Sequence, residues 1–149
     1  MIGYMSIEEQ VDTDFVRARH RALAGRVAAF LRGEGGELLS FDDVRRKSRA
    51  SGGLRRGRRD VEVSSIVGSV GRHRHFDRNF MPKKVSLRER WERVDRAFVR
   101  GEELPPVSLY KIGDRYFVED GNHRVSVARY QGAEMIDAEI TELLTPAGR

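Results

Sequence analysis

Residues 116–129 read Tyr116-Phe117-Val118-Glu119-Asp120-Gly121-Asn122-His123-Arg124-Val125-Ser126-Val127-Ala128-Arg129. An apolar run ends at Val118, the glycine at position 121 permits a tight turn, and the apolar residues that follow are spaced as on a helix. The segment therefore predicts a strand, a turn and a helix that extends from about His123 to Gln131 and is closed by Gly132.

The start of this predicted helix has the features of an anion-binding site. The first N–H groups of a helix have no partner within the helix, and the helix dipole favours negative charge there. Gly121 lets the backbone approach a ligand, and Asn122 is placed to cap the helix. His123 and Arg124 put two donors in the first turn, where positive charge opposes the dipole unless an anion is bound. These residues, with Ser126, are the predicted phosphate contacts; a capped helix with a solvated His and Arg is the alternative.

Two acidic residues directly precede the turn. Glu119 and Asp120 are candidate ligands of Mg²⁺, because Mg²⁺ in proteins typically binds one or two carboxylates together with phosphate oxygens. Alternatively, one of them simply caps or turns the chain. Asp120 and His123 are also the candidate catalytic acid–base groups. Upstream, Gly71 and Arg72 are candidates for a second set of phosphate contacts, although the same residues are as typical of a polar loop.

The composition limits the chemistry. The 149 residues carry a net charge of +5, and 24 of the 28 basic residues are Arg. Arginine binds phosphate in a bidentate way, but an Arg-rich surface is also typical of a GC-rich genome. The chain has no cysteine, so we expect no Fe–S cluster and no structural zinc, and we expect no haem. No apolar run reaches about 18 residues, and Met1–Ser6 lacks a secretory pattern. We expect a cytoplasmic protein without a membrane partner.

Residues 1–50 are predicted to be a helical N-terminal extension. Ser6 and Glu9 have the spacing of a capping box, and apolar residues recur at helical spacing as far as Phe30. A shorter helix is predicted after Ser40. Residues 51–59 contain one apolar residue among Gly, Ser and Arg, and this composition predicts a mobile linker.

Residues 60–149 are predicted to form a compact α+β domain with a mixed sheet and flanking helices. Ser86 and Glu89 again have capping-box spacing and open a helix that Gly101 closes. The predicted strands are Val61–Val63, Val107–Ile112 and Arg115–Val118 about a hairpin turn at Gly113-Asp114, and Ile136–Ile140.

The ParB/sulfiredoxin superfamily has a signature that this chain resembles at Asp120–Arg124, followed by Val125–Arg129 and Gly132. Val61–Ile66 is similar to the first strand of that fold, and Leu104–Val107 to a strand that follows a helix ending in Gly. The resemblance covers residues 60–142 in order. Residues 68–72 and 76–80 are similar to those of a small bacterial branch.

The resemblance implies an α+β domain with a loop that binds a nucleoside triphosphate, ATP or CTP, with or without Mg²⁺. Gly121 matches the motif glycine, Arg124 its final arginine and His123 the sulfiredoxin histidine. Asn122 stands where sulfiredoxins have their reactive cysteine, so sulfiredoxin activity is not expected. Because only a short segment follows the last predicted strand, we expect neither the helix-turn-helix nor the dimerisation region of partition proteins.

Three functions follow from these patterns. The first is a nucleotide-binding protein, working as a phosphotransferase, a hydrolase or a nucleotide switch; replacement of Arg124 is then expected to weaken binding and leave the fold intact. The second is a nucleic-acid-binding protein or nuclease that uses a basic arm. The third is a non-catalytic module that binds a partner, or forms a homodimer, through the N-terminal helix. The predicted arm residues are Arg55, Arg56, Arg58 and Arg59.

Overall fold

The computed structural model describes residues 5–146. The first residues of the predicted N-terminal extension, 1–4, and the last residues of the predicted α+β domain, 147–149, lie outside the described residues. It is a mixed α+β structure with four α-helices and a six-stranded sheet within the described chain. The helices are α1 (Ile7–Leu31), α2 (Phe41–Ser48), α3 (Arg88–Val99) and α4 (Asn122–Tyr130), and the strands are β1 (Leu39–Ser40), β2 (Ser51–Glu62), β3 (Ile66–Ser69), β4 (Val107–Ile112), β5 (Arg115–Asp120) and β6 (Met135–Leu144).

The sheet has the order β1-β3-β5-β4-β6-β2. β1, β3 and β5 are parallel to one another, the β4–β5 hairpin is antiparallel, β4 and β6 are parallel, and β6 and β2 are antiparallel. The hairpin and the following strand–turn–helix are those predicted from the sequence, and they place the turn after β5 near the centre of the sheet. A loop that ends a central strand is a common position for a ligand.

The main core lies between the sheet and helices α1, α3 and α4. A smaller cluster on the opposite face packs α2 against the sheet, with Phe41 stacked on Tyr110. Because α1 contributes to the main core, the N-terminal segment and the sheet share one hydrophobic interior. The largest fully buried side chains are Trp91, Phe15, Phe76, Phe80, Phe117, Ile66 and Leu109.

Helix α1 begins as its sequence predicts. The Ser6 hydroxyl accepts a hydrogen bond from the Glu9 N–H, and the Glu9 carboxylate accepts one from the Ser6 N–H, both at 3.1 Å. Ser40 caps α2 in a similar way through the Asp43 N–H. The predicted capping box at Ser6 is confirmed, as is the start of the shorter helix at Ser40, because each depends only on residues within one turn of the helix start.

Residues 51–59 are not a linker, and that prediction is wrong. They belong to β2, which pairs with β6 over most of its length. The composition gives almost no sign of this strand, because both of its faces are exposed up to Val61. Backbone pairing with β6 and two cross-strand ion pairs, Arg56–Glu142 and Arg58–Asp137, stabilise it instead.

Two further predictions need correction. Ser86 does not cap a helix: residues Val85–Leu87 form a 3₁₀ turn, and α3 begins after it at Arg88 without a side-chain cap. The first predicted strand ends at Glu62, where another 3₁₀ turn starts. No helix within residues 5–146 is both long enough and apolar enough to span a membrane.

A buried carboxyl pair joins α1 to α3. Asp95 is fully buried, and the Gln131 side-chain amide donates to both Asp95, at 2.8 Å, and Asp14, at 3.2 Å. Burial and then the adjacent Asp14 carboxyl raise the pKa of Asp95 from 3.8 to about 7. The folded state therefore binds a proton more tightly than the unfolded state at this position, and Asp95 makes stability fall as pH rises from about 4 to about 7.

Replacing Asp95 with Asn tests this arrangement. The amide keeps an acceptor for Gln131, carries no charge and supplies a donor toward Asp14. We expect Asp95→Asn to raise the free energy of unfolding by about 1–2 kcal/mol at pH 8 and to flatten its dependence between pH 4 and 8. Urea unfolding of both proteins across this range measures the effect, with the exposed Asp114→Asn as control. A mutant less stable than wild type at pH 8 would contradict the raised pKa of Asp95 in the buried carboxyl pair.

Candidate functional site

A cleft of about 510 Å³ opens where the β5–α4 turn meets helix α3 and the loop after β3. Its charged lining consists of four arginines against two carboxylates, so the cleft is positively charged. Its apolar lining comes from Val70, Phe76, Leu87 and Val94. The polar and charged residues of the lining are Arg72, His75, Arg90, Arg93, Glu119, Asp120, Asn122, His123 and Arg124.

Gly121 builds the turn at the base of this cleft. Its φ of +110° lies in the region that disfavours residues with a side chain. A Cβ at this position would also lie 2.6 Å from Val107 Cγ1, so the glycine is required by the packing of the turn on β4. The fold alone accounts for this residue, and its substitution does not isolate a binding function.

The first turn of α4 presents unpaired backbone donors to the cleft. Gly121 is the N-cap residue, and no side chain caps the helix. The first N–H to bond within the helix is that of Val125, which donates to the Gly121 carbonyl at 3.0 Å. The preceding N–H groups of Asn122, His123 and Arg124 have no partner within the helix, and all three residues line the cleft. Their dipoles add positive potential to that of the arginines.

Asn122 is not the cap that the sequence suggests. It is the first residue of the helix, and its side-chain oxygen accepts a hydrogen bond from the Ser69 hydroxyl at 2.8 Å. Ser69 is buried at the end of β3. The bond ties the start of α4 to the neighbouring strand and leaves the backbone N–H groups of the first turn uncapped.

Arg124 has a structural role that the sequence did not reveal. Its Nη1 donates to the carbonyls of Pro105, at 2.8 Å, and Pro106, at 2.9 Å, while Nη2 lies 3.2 Å from an Asp120 carboxylate oxygen. Its side chain is only 16% exposed. The guanidinium therefore holds the segment before β4 against α4. Its loss is expected to destabilise the fold, contrary to the prediction from the sequence.

Arg124→Ala should destabilise the protein by about 1–3 kcal/mol, because two backbone carbonyls lose their donors. Thermal unfolding without ligand measures this change. Arg72→Ala, which removes an exposed arginine from the same cleft, is the matched control and should unfold within about 0.5 kcal/mol of wild type. Equal stability of Arg124→Ala and wild type would show that the two carbonyl contacts contribute nothing.

His123 is neutral at the inner wall of the cleft. Its ring meets Phe76 edge to face, with 5.3 Å between the ring centroids, and its Nδ1 is buried without a hydrogen-bond partner in the described structure. Burial and then the positive charges of Arg90, His75 and Arg72 lower its pKa from 6.5 to about 4. A neutral imidazole can donate or accept a hydrogen bond, but it does not serve as a strong acid at pH 7.

The two predicted Mg²⁺ ligands both line the cleft. Asp120 pairs with Arg124. Burial and then the charge of Glu119 raise the pKa of Tyr110, so Glu119 lies near the Tyr110 hydroxyl. Residues 5–146 contain no group of three or more His, Asp or Glu side chains that could hold a metal ion. The two exposed carboxylates of the cleft are Glu119 and Asp120.

Ser126 does not reach the cleft, so the prediction that it contacts phosphate is not supported. It is fully buried, its hydroxyl donates to the Phe80 carbonyl, and it accepts a hydrogen bond from Trp91 Nε1 at 2.9 Å. Ser126 therefore anchors α4 to α3 and to the loop after β3. Of the two residues predicted as a second set of phosphate contacts, Arg72 lines the cleft, and Gly71 precedes it with a φ of +75°.

Arg90 and Arg93 are cleft residues that the sequence analysis missed. Both are exposed on α3, on a face different from the one that buries Trp91. Their spacing of three residues, beside the apolar stripe of the helix, was the available signal. It indicates a basic helix face, but only the packing of α3 on α4 brings that face to the turn after β5.

The predicted nucleic-acid arm lies apart from the cleft. Arg55, Arg56, Arg58 and Arg59 are on β2, at the edge of the sheet and three strands away from β5. Arg56 and Arg58 pair with acidic residues of β6. The arm residues are therefore partly neutralised and do not share a site with the α4 turn.

No family model matches this sequence, and neither a curated protein nor a solved structure matches it.

Proposed function

We propose that the protein binds a nucleotide in the cleft, with its phosphates at the N-terminus of α4. The observation that carries the proposal is an uncapped helix start that opens into an arginine-lined cleft. Backbone N–H groups and the helix dipole together form a standard site for phosphate. In the absence of an anion, these donors and the neighbouring arginines repel one another, and a phosphate relieves that repulsion.

The two kinds of lining suit the two parts of a nucleotide. Arg72, Arg90 and Arg93 are exposed and can turn toward phosphate oxygens, which arginine binds in a bidentate way. Val70 and Val94, the two apolar lining residues that are only partly buried, offer apolar surface to a base or sugar. The volume of about 510 Å³ lies in the range of small-molecule sites.

The resemblance of the loop to the ParB/sulfiredoxin signature agrees with this proposal. It implies that a nucleoside triphosphate would bind at Asp120–Arg124, the turn that borders the cleft. Arg124 matches the final arginine of the signature, but its guanidinium already donates hydrogen bonds to the carbonyls of Pro105 and Pro106. In this proposal Arg90 and Arg93 provide the positive charge that phosphate binding needs.

Mg²⁺ fits this site as a companion of the nucleotide. Asp120 lines the cleft directly before the turn into α4, and its side chain is 78% exposed. A single carboxylate is sufficient for Mg²⁺ when phosphates and water complete the coordination. The ion would neutralise phosphate charge there, and Asp120 would hold it near the first turn of α4.

Removal of the two α3 arginines tests the nucleotide site. We expect Arg90→Gln/Arg93→Gln to weaken the binding of ATP or CTP at least tenfold, because each lost charge-assisted hydrogen bond contributes about 1.5–3 kcal/mol. Isothermal titration with and without Mg²⁺ measures the affinity. Thermal shifts provide a second readout, since a ligand at 100 times its dissociation constant stabilises the fold by about 2.7 kcal/mol.

The matched control is Arg55→Gln/Arg59→Gln, which removes the same charge from the far edge of the sheet. Neither of these arginines forms a salt bridge with another described residue. The control should bind nucleotide as wild type does. Equal weakening in both double mutants would indicate a general charge effect, and absence of binding by wild type would contradict the proposal.

His123 should report on the bound phosphate. An anion within about 4–6 Å favours the imidazolium, so a nucleotide should raise the pKa of His123 by about one unit or more. Binding is then coupled to proton uptake, and affinity should increase as pH falls through about 5 toward 4, between the raised pKa of the bound state and the pKa of about 4 in the free protein. NMR titration of the imidazole signals with and without ATP measures the shift. The His20 signal, from α1, should not respond to ATP; an unchanged His123 pKa at saturation would place the phosphates elsewhere.

A further inference from the structure

Helix α1 has two apolar stripes, and the protein's own core covers one of them. The buried stripe packs against the sheet and α3. The other lies roughly 140° around the helix axis, at 3.6 residues per turn, and faces solvent. The buried stripe consists of Val11, Phe15, Ala18, Ala22 and Ala29. The exposed stripe consists of the apolar residues Val16, Leu23, Val27 and Phe30, together with His20.

The exposed stripe has the spacing of a helix–helix seam. Its residues follow one another at steps of four, three, four and three, which is the repeat that lets two helices interlock. Leu23 is 60% exposed, Val27 54% and Phe30 82%, and the neighbouring Leu31 is 77% exposed. A helix face that only meets water is normally polar, so this face is suited to a partner helix.

The rim of the exposed stripe carries charges of both signs. Beside the C-terminal half of α1 lies a groove of about 480 Å³, lined by Leu23, Val27 and Phe30. The charged residues of the groove are Arg26, Lys83, Glu34 and Glu37. Within the chain Glu37 pairs with Lys83, and Glu34 pairs with Arg32 and Arg78, which leaves Arg26 without a salt bridge to another described residue. An anionic membrane would select a uniformly basic rim, which this groove lacks. A second copy, in contrast, can offer Arg26 the Glu37 carboxylate, which remains 54% exposed in its pair with Lys83.

We infer that a second copy of this chain packs antiparallel on the exposed stripe, with Leu23 and Val27 nearest the two-fold axis. Phe30 of each copy then packs at the level of His20 of the other, because antiparallel pairing about position 25 sets position 30 opposite position 20. Arg26, which forms no salt bridge within residues 5–146, meets an acidic rim residue of the partner copy. The apolar stretch from Val16 to Leu31 spans about 22 Å of helix, which is short for a permanent interface, so the dimer dissociates at micromolar concentrations.

Sedimentation velocity over about 1–200 µM tests the proposal, because the dimer fraction depends on protomer concentration. Wild type should change from the 17.0 kDa monomer to twice that mass. Leu23→Glu/Val27→Glu puts four like charges at the axis and should raise the dissociation constant at least 100-fold without unfolding the chain, since both side chains are exposed. The control Leu54→Glu/Val85→Glu adds the same charge at two other exposed apolar positions and should dimerise normally.

Charge exchange distinguishes a second copy from an unrelated partner. Arg26→Glu alone should weaken the dimer, and addition of Glu37→Arg to the same chain should restore it. Because the chain has no cysteine, Val27→Cys should form a disulfide-linked dimer on oxidation, whereas Val16→Cys, far from the axis, should not. A wild type that stays monomeric at the highest concentration, or equal cross-linking at both positions, would overturn the antiparallel dimer.

Discussion

The close approach of Gly121 to Val107 is the constraint on which the candidate site depends. A glycine with a φ of +110° lets the chain turn directly from β5 into α4, where any side chain would overlap β4. The turn leaves the first N–H groups of α4 uncapped, and Arg124, one turn later, fixes the helix to the carbonyls of Pro105 and Pro106. The donors are thus held in place before any ligand arrives, which reduces the cost of ordering them on binding.

The N-terminal helix stabilises the wall of the same cleft. Helix α3 buries Trp91 and Asp95 while it exposes Arg90 and Arg93. Asp14 joins the buried polar cluster from α1, and on the surface the ion pairs Glu8–Arg96 and Asp12–Arg88 connect the two helices. Residues far from the cleft in sequence therefore determine where its arginines lie, and α1 is part of the structure that positions the site.

The elements set by short-range rules were predictable, and those set by distant pairing were not. The Ser6 cap, the β4–β5 hairpin and the turn at Gly121 depend on neighbouring residues. Strand β2 depends on β6, about 80 residues later, and its Arg- and Gly-rich composition is that of a loop. The same limit applies to the site: the loop Asp120–Arg124 could be found from its spacing, but the convergence of Arg90 and Arg93 on it required the packing of α3. The internal bonds of Arg124 and Ser126 likewise required the folded structure.

The most direct test of the account is an amide NMR titration of the ¹⁵N-labelled protein with ATP and CTP, each with Mg²⁺. Phosphate bound by the helix start must change the environment of the backbone N–H groups of Asn122, His123 and Arg124. We expect these three amides to show the largest saturable shifts, and we expect the side-chain signals of Arg90 and Arg93 to shift with them. Shifts confined to β2 or α1, or no saturable shift with either nucleotide, would contradict it.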